Sequence, residues 1–214
     1  MDIAKFRQLP ILGILRGIES AILEPLLTSI ESAGLETIEI TMNTPGASGL
    51  IRRAVRLSGK RLSIGAGTVL DIKSLKSALD AGATFIVMPA LIKDALAYCV
   101  KNQIPAFPGA LTPQEIYTAW RAGATMVKVF PSGVFGPEYF KELKAPFGDV
   151  ELLACGGVTA QNLRAYFANG ASAVSFGAGV FKKEWLLKKD FPIIEDSIKR
   201  YIREFDAIVK ESGE

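Results

Sequence analysis

A chain of 214 residues that is 49% hydrophobic and 22% charged is long enough to bury one sizeable core and too apolar to be disordered. Its net charge of +3 comes from basic residues spread along the chain, which argues against a nucleic-acid or membrane-surface partner and suits small anionic ligands. The absence of histidine excludes Ser-His-Asp and Cys-His nucleophiles and His-ligated zinc, and two distant cysteines make neither a disulfide framework nor a metal-ligand set.

The amino-terminal stretch MDIAKFRQLPILGILRG lacks the form of a secretory signal, and no apolar run approaches the roughly 20 residues of a membrane helix. A reducing, cytoplasmic setting is therefore expected. ILGIL (11–15) opens a series of short apolar runs and ends on Arg16. TIEIT (37–41) follows, with Asn43 just beyond it, and then RLSIGA (61–66), with Thr68 beyond it. FIVMP (85–89) closes on Pro89, IPAFP (104–108) comes next, and MVKVF (126–130) holds Lys128 and ends on Phe130. VELLA (150–154) runs into Cys155, Gly156 and Gly157, and AVSFG (173–177) into Gly177 and Ala178.

Each run is followed by a helix-like stretch of about 10 to 15 residues, so the pattern predicts a single-domain α/β protein, a (β/α)8 TIM barrel over 1–214. Helix starts are marked by Thr112-Pro113-Gln114-Glu115, with a cap, a first-turn proline and a glutamate at the third position, and by Thr159 before AQNLRAYF. The alternative, an open doubly wound sheet, lacks a G-x-G-x-x-G turn after its first strand.

Four segments repeat a glycine followed by a strand at one offset: AGLETIEI, AGATFIVM, AGATMVKV and NGASAVSF. Their glycines, Gly34, Gly82, Gly123 and Gly170, mark the second, fourth, sixth and eighth runs, and five residues later stand Glu39, Val87, Lys128 and Ser175. Alternate strands of such a barrel share interior layers, so these four side chains are expected in one layer. Alternation sends Ile38, Ile40, Val127 and Val129 outward and leaves Glu39 and Lys128 facing one cavity.

Lysine and glutamate are almost never fully buried unless paired, and a core ion pair returns little stability for its desolvation. The same desolvation disfavours an ammonium ion, so a lysine in a dry pocket suits imine formation with a ketone, and a neighbouring carboxylate can carry the protons. Glycine-rich turns after the seventh and eighth runs, Gly156-Gly157 and Gly177-Ala178-Gly179, offer backbone amides to a phosphate. Arg16 is expected at the cavity mouth to pair with a carboxylate or phosphate, or else in solvent; Asn43 and Thr68 are placed for substrate oxygens or as turn and cap residues, and Pro89 and Phe130 for walls or ordinary core packing.

IEIT, IGAGTV, VKVFPS and GGVT, in this order and at these spacings, resemble the family of 2-keto-3-deoxy-6-phosphogluconate and 4-hydroxy-2-oxoglutarate aldolases, over ILRG at 13 to about FGAGV at 180. The resemblance implies a class I, metal-independent aldolase without a cofactor. Such an enzyme cleaves a phosphorylated keto acid, a 2-keto-3-deoxy-6-phospho sugar acid, to pyruvate and glyceraldehyde 3-phosphate, and it assembles as a homotrimer. It assigns the Schiff base to Lys128, acid/base work to Glu39, the substrate carboxylate to Thr68 and Arg16, and phosphate to Gly156 and Gly157. Asn43 stands where gluconate-type members carry arginine, Cys155 where they carry threonine, and Ala178 where they carry a phosphate-binding serine. NTPG with FPSGVFGPEYFKELKAP looks closer to the phosphogalactonate branch. A phosphosugar isomerase or epimerase, or a non-catalytic phosphometabolite sensor, are the alternatives on the same barrel.

Overall fold

Each apolar run becomes a parallel strand in the computed structural model, which describes residues 1–212. The strands are β1 (Ile11–Leu15), β2 (Thr37–Thr41), β3 (Ser63–Gly67), β4 (Ile86–Val87), β5 (Ala106–Phe107), β6 (Gly109–Ala110), β7 (Val127–Val129), β8 (Leu152–Cys155) and β9 (Ala173–Phe176). Their order is β5-β4-β3-β2-β1-β9-β8-β7-β6. Pro108 has no amide hydrogen, so it interrupts the fifth run and leaves two halves, β5 and β6. The first half pairs with β4 (Val87 beside Phe107) and the second with β7 (Gly109 beside Lys128), so the two ends of the strand order belong to one stave. The Pro108 carbonyl still accepts from the Lys128 amide at 2.9 Å. The sheet thereby closes into the expected barrel of eight staves.

The helices are α1 (Ile3–Gln8), α2 (Leu23–Ser32), α3 (Ala47–Ser58), α4 (Ile72–Asp80), α5 (Lys93–Lys101), α6 (Pro113–Arg121), α7 (Glu138–Lys144), α8 (Leu163–Ala168), α9 (Lys183–Lys188) and α10 (Phe191–Ser212). Thr112 and Glu115 form the anticipated reciprocal cap of α6: the Glu115 amide donates to Thr112 Oγ1 at 3.3 Å and the Thr112 amide to Glu115 Oε2 at 2.9 Å. Thr159 acts differently from the expectation. It exchanges hydrogen bonds with Asn162, 2.8 Å from its own amide to Oδ1 and 3.3 Å back to Oγ1, so the segment first makes a closed turn and α8 begins only at Leu163. The helical layer after β9 is split into α9 and α10, and α10 closes the ring by packing on α2 and α8. Among the described residues no helix is long and apolar enough to cross a membrane.

Strand alternation separates two cores. Ile38, Ile40, Val127 and Val129 lie in the layer between sheet and helices, as alternation requires. Leu12, Phe85, Val87, Phe107, Met126, Leu153 and Ala173 fill the barrel's interior, and Phe6 of α1 joins them from below. The Phe107 ring meets Phe6 at 6.1 Å and Phe85 at 5.9 Å, both edge-to-face. Phe85 fits because position 65 is glycine; a Cβ there would stand 2.4 Å from its ring. Helix α1, which the sequence pattern did not announce, stops the floor of the barrel with carbon.

Candidate active site

Above that floor the interior turns polar. Glu39, Lys128 and Ser175 are 1%, 6% and 1% exposed, at the matching positions of β2, β7 and β9, with Val87 of β4 completing the layer. Burial pushes the Glu39 carboxyl above its usual range, against the opposing pull of Lys128 and then Arg16. Glu39 Oε2 is buried and has no hydrogen-bond partner among the described residues, which leaves an acceptor free inside the cavity. The carboxylate reaches this position by crossing the bare face of Gly67, where a Cβ would stand 2.1 Å from Oε1.

Lys128 Nζ lies 5.2 Å from the centroid of the Phe130 ring, so the wall expected of Phe130 stands beside the amine. Cys155 also faces this layer. Burial holds its thiol above the ordinary range despite Lys128 and a hydrogen bond with Ser175, so it meets a ligand as a neutral group. Pro89 is half-buried, and its carbonyl carbon and oxygen pack so closely on Gly109 that a Cβ there would stand 2.2 Å from the oxygen.

Arg16 and Thr68 meet at the mouth, where Arg16 Nη2 donates to Thr68 Oγ1 at 3.4 Å. Thr68 sits at φ +53°, a left-handed conformation that β-branched residues avoid at a cost of about 1–3 kcal/mol. The strained backbone brings the Thr68 hydroxyl to the Arg16 guanidinium at the mouth. Asn43 is exposed, whereas its neighbour Thr44, which the sequence reading passed over, is 3% exposed and bonded across to the loop after β1.

The glycine pair after β8 is fixed by the chain after β7. Gly156 and Gly157 have φ of +89° and +82°, and the Gly156 carbonyl accepts from Ser132 Oγ at 2.7 Å and from the Gly133 amide at 2.8 Å. A Cβ on Gly157 would meet Gly133 Cα at 2.8 Å. Ser132 and Gly133 were not singled out from the sequence; their signal was the PSG that directly follows the lysine strand. After β9, the Gly177 carbonyl accepts from Val180 and Phe181. Among the described residues the amides of Gly157, Ala178 and Gly179 donate to no protein carbonyl, so two neighbouring turns present free donors to an anion.

The arrangement is a well with a buried amine and carboxylate deep inside, a cation and hydroxyl at one side of its mouth, and free amides at the other. The family model for KDPG and KHG aldolases matches residues 3–197. The chain is 34% identical over 176 residues to a 2-dehydro-3-deoxy-6-phosphogalactonate aldolase of Escherichia coli, covering 82% of this chain and 86% of that relative. It is 38% identical over 165 residues to a 2-dehydro-3-deoxy-phosphogluconate aldolase of Pseudomonas aeruginosa, covering 76% and 72%. A solved structure of native KDPGal superimposes with a TM-score of 0.87 at 29% identity, covering 94% of this chain and 96% of that one.

Proposed function

The chain belongs to the KDPG and KHG aldolase family, and from that membership we propose that it is a class I aldolase, a lyase that reversibly cleaves a 2-keto-3-deoxy-6-phospho sugar acid, of the phosphogluconate or phosphogalactonate type, to pyruvate and glyceraldehyde 3-phosphate. The observation that carries the assignment is the juxtaposition of Lys128 with Glu39 in one buried layer of the barrel.

In this reading Lys128 Nζ adds to the C2 ketone and water leaves, forming a protonated imine. Glu39 takes the proton of the C4 hydroxyl as the C3–C4 bond breaks, and the bonding electrons pass into the imine to give an enamine. Protonation at C3 and hydrolysis then return pyruvate and the free amine. Arg16 and Thr68 hold the carboxylate, Asn43 and Cys155 contact the sugar chain, Pro89 and Phe130 bound it, and the amides around Gly156, Gly157, Gly177 and Ala178 receive the phosphate. No metal or cofactor enters the reaction so described. Asn43 and Cys155 support the galactonate type, because neither supplies the arginine or threonine of gluconate-type members.

Trapping with pyruvate and borohydride tests the mechanism: a reduced adduct is expected on Lys128, and an adduct elsewhere, or none, rejects it. Rates of pyruvate release from the gluconate-type, galactonate-type and 4-hydroxy-2-oxoglutarate substrates then assign the sugar acid. Family membership also supports a cytoplasmic homotrimer, and Val134 and Phe135, 66% and 55% exposed beside the mouth, supply apolar surface for such an assembly. Light scattering on the eluting protein gives the oligomeric mass.

A further inference from the structure

Arg16 has little to hold its tip, a single 3.4 Å contact to Thr68, yet its charge reaches Glu39. What fixes its direction lies at its base. The next residue, Gly17, adopts φ +64°, and its amide donates to Thr44 Oγ1 at 2.9 Å. That amide is joined to the Arg16 carbonyl by a rigid peptide plane, so the bond ties the backbone directly after Arg16 to the loop after β2 and holds the base of the Arg16 side chain in place. Thr44 is itself fixed: its hydroxyl is 3.0 Å from that of Thr41, 0% exposed at the end of β2, and its amide donates to the Thr41 carbonyl at 2.9 Å.

Packing does not do this work at Gly17. A Cβ there would meet nothing within 4 Å, and the turn borders an open depression of ≈ 550 Å³ lined in part by Gly17, Glu19, Ser20, Pro45 and Gly46. Farther along, the same loop is anchored by the buried Ile18 and by Arg53 of α3, which donates to the Ser20 carbonyl at 2.7 Å. Those anchors act beyond the peptide between Arg16 and Gly17. At that peptide the hydrogen bond from the Gly17 amide to the Thr44 hydroxyl is the direct tie to the neighbouring loop.

We propose that Thr44 is a positioning residue: its hydroxyl, braced by Thr41, holds the Gly17 amide so that Arg16 points over Thr68 and Glu39, and it thereby sets the site's affinity for a keto-acid carboxylate. The assignment rests on the aldolase reading and deepens it. Valine in place of Thr44 keeps the shape and removes the acceptor, leaving a partly buried amide unpaired.

The test follows the pyruvate dependence of borohydride trapping on Lys128, with thermal unfolding recorded for each protein. Thr44→Val is expected to raise half-saturating pyruvate roughly tenfold, as loss of one such bond allows, while trapping still reaches completion at saturation. Thr44→Ser, which keeps the hydroxyl, is expected to restore the unaltered value. Arg53→Met, which loosens the same loop at Ser20, is expected to stay within about twofold. If Thr44→Val does not fold, Thr44→Cys, a poor acceptor of similar size, is read in its place. Unchanged half-saturation in the acceptor-less variant, or an equal rise with Arg53→Met, overturns the assignment. An unaltered protein that traps no pyruvate sinks the aldolase reading and this assignment with it, whereas trapping that ignores Thr44 sinks this assignment alone.

Discussion

Glu39 is held where a carboxylate is uncomfortable, and that discomfort has a pH signature. Burial, above all, lifts its pKa over the usual carboxylate range, so above that range the folded state keeps a proton that the unfolded chain has released. Stability contributed by the protonated group is therefore complete at acid pH and is lost as pH rises through the folded pKa. Glu39→Gln removes this loss. The variant should unfold at a higher temperature than the unaltered protein at pH 8, with the difference shrinking below the unfolded carboxyl's range, while turnover falls roughly 10²–10⁴-fold as expected for a missing proton carrier. Equal pH slopes for the two proteins would contradict the assignment. Gly67 offers a second measurement at this scale. Gly67→Ala puts a methyl group where Glu39 Oε1 now lies, and displacement of a reacting group by about 1 Å costs roughly a hundredfold in turnover. Lys128 and Glu39 were legible from strand alternation alone, because a charge in an apolar run announces itself. Gly67 and Thr44 were not, since their roles depend on contacts with β2 and the loop after β1 that no local pattern encodes.

At the scale of elements, regular chemistry was the readable part. The Thr112-Pro113-Gln114-Glu115 signal produced the cap it promised, with two amides, Leu111 and Thr112, donating to Glu115 Oε2. Thr112→Ala should cost about 1 kcal/mol, lowering the unfolding temperature by roughly 2–4 °C in a calorimeter without altering pyruvate trapping. Thr159 carries an equally good local signal and yet starts a turn, because Asn162 offers a side chain that satisfies the Thr159 amide before a helix can. Pro108 shows the opposite case. It looked like the end of a run, but the chain continues through it, and the missing amide only divides one stave into halves that face different neighbours. Helix α1 escaped notice because six residues give too little periodicity, although Asp2 caps it by accepting from the Lys5 amide at 3.1 Å.

For the molecule as a whole, the glycine offset recurs before alternate strands of the barrel, and the outcome is a parallel sheet whose two end strands, β5 and β6, are halves of one stave. The aromatic floor carries much of the interior packing. Phe85→Ala, which empties the space shaped by Gly65, should destabilise by about 3–5 kcal/mol in chemical denaturation.

That floor also makes the barrel a blind alley with one entrance. If Lys128 carries the imine and the amides after β8 and β9 take the phosphate, as proposed, the three-carbon fragment would sit at the closed end and the phosphorylated fragment between it and solvent. Traffic must then be last in, first out: the aldehyde leaves before pyruvate, and in the synthetic direction pyruvate must enter first. Pyruvate should therefore inhibit cleavage competitively and glyceraldehyde 3-phosphate noncompetitively, and the reverse pattern would mean that the alley has a second exit.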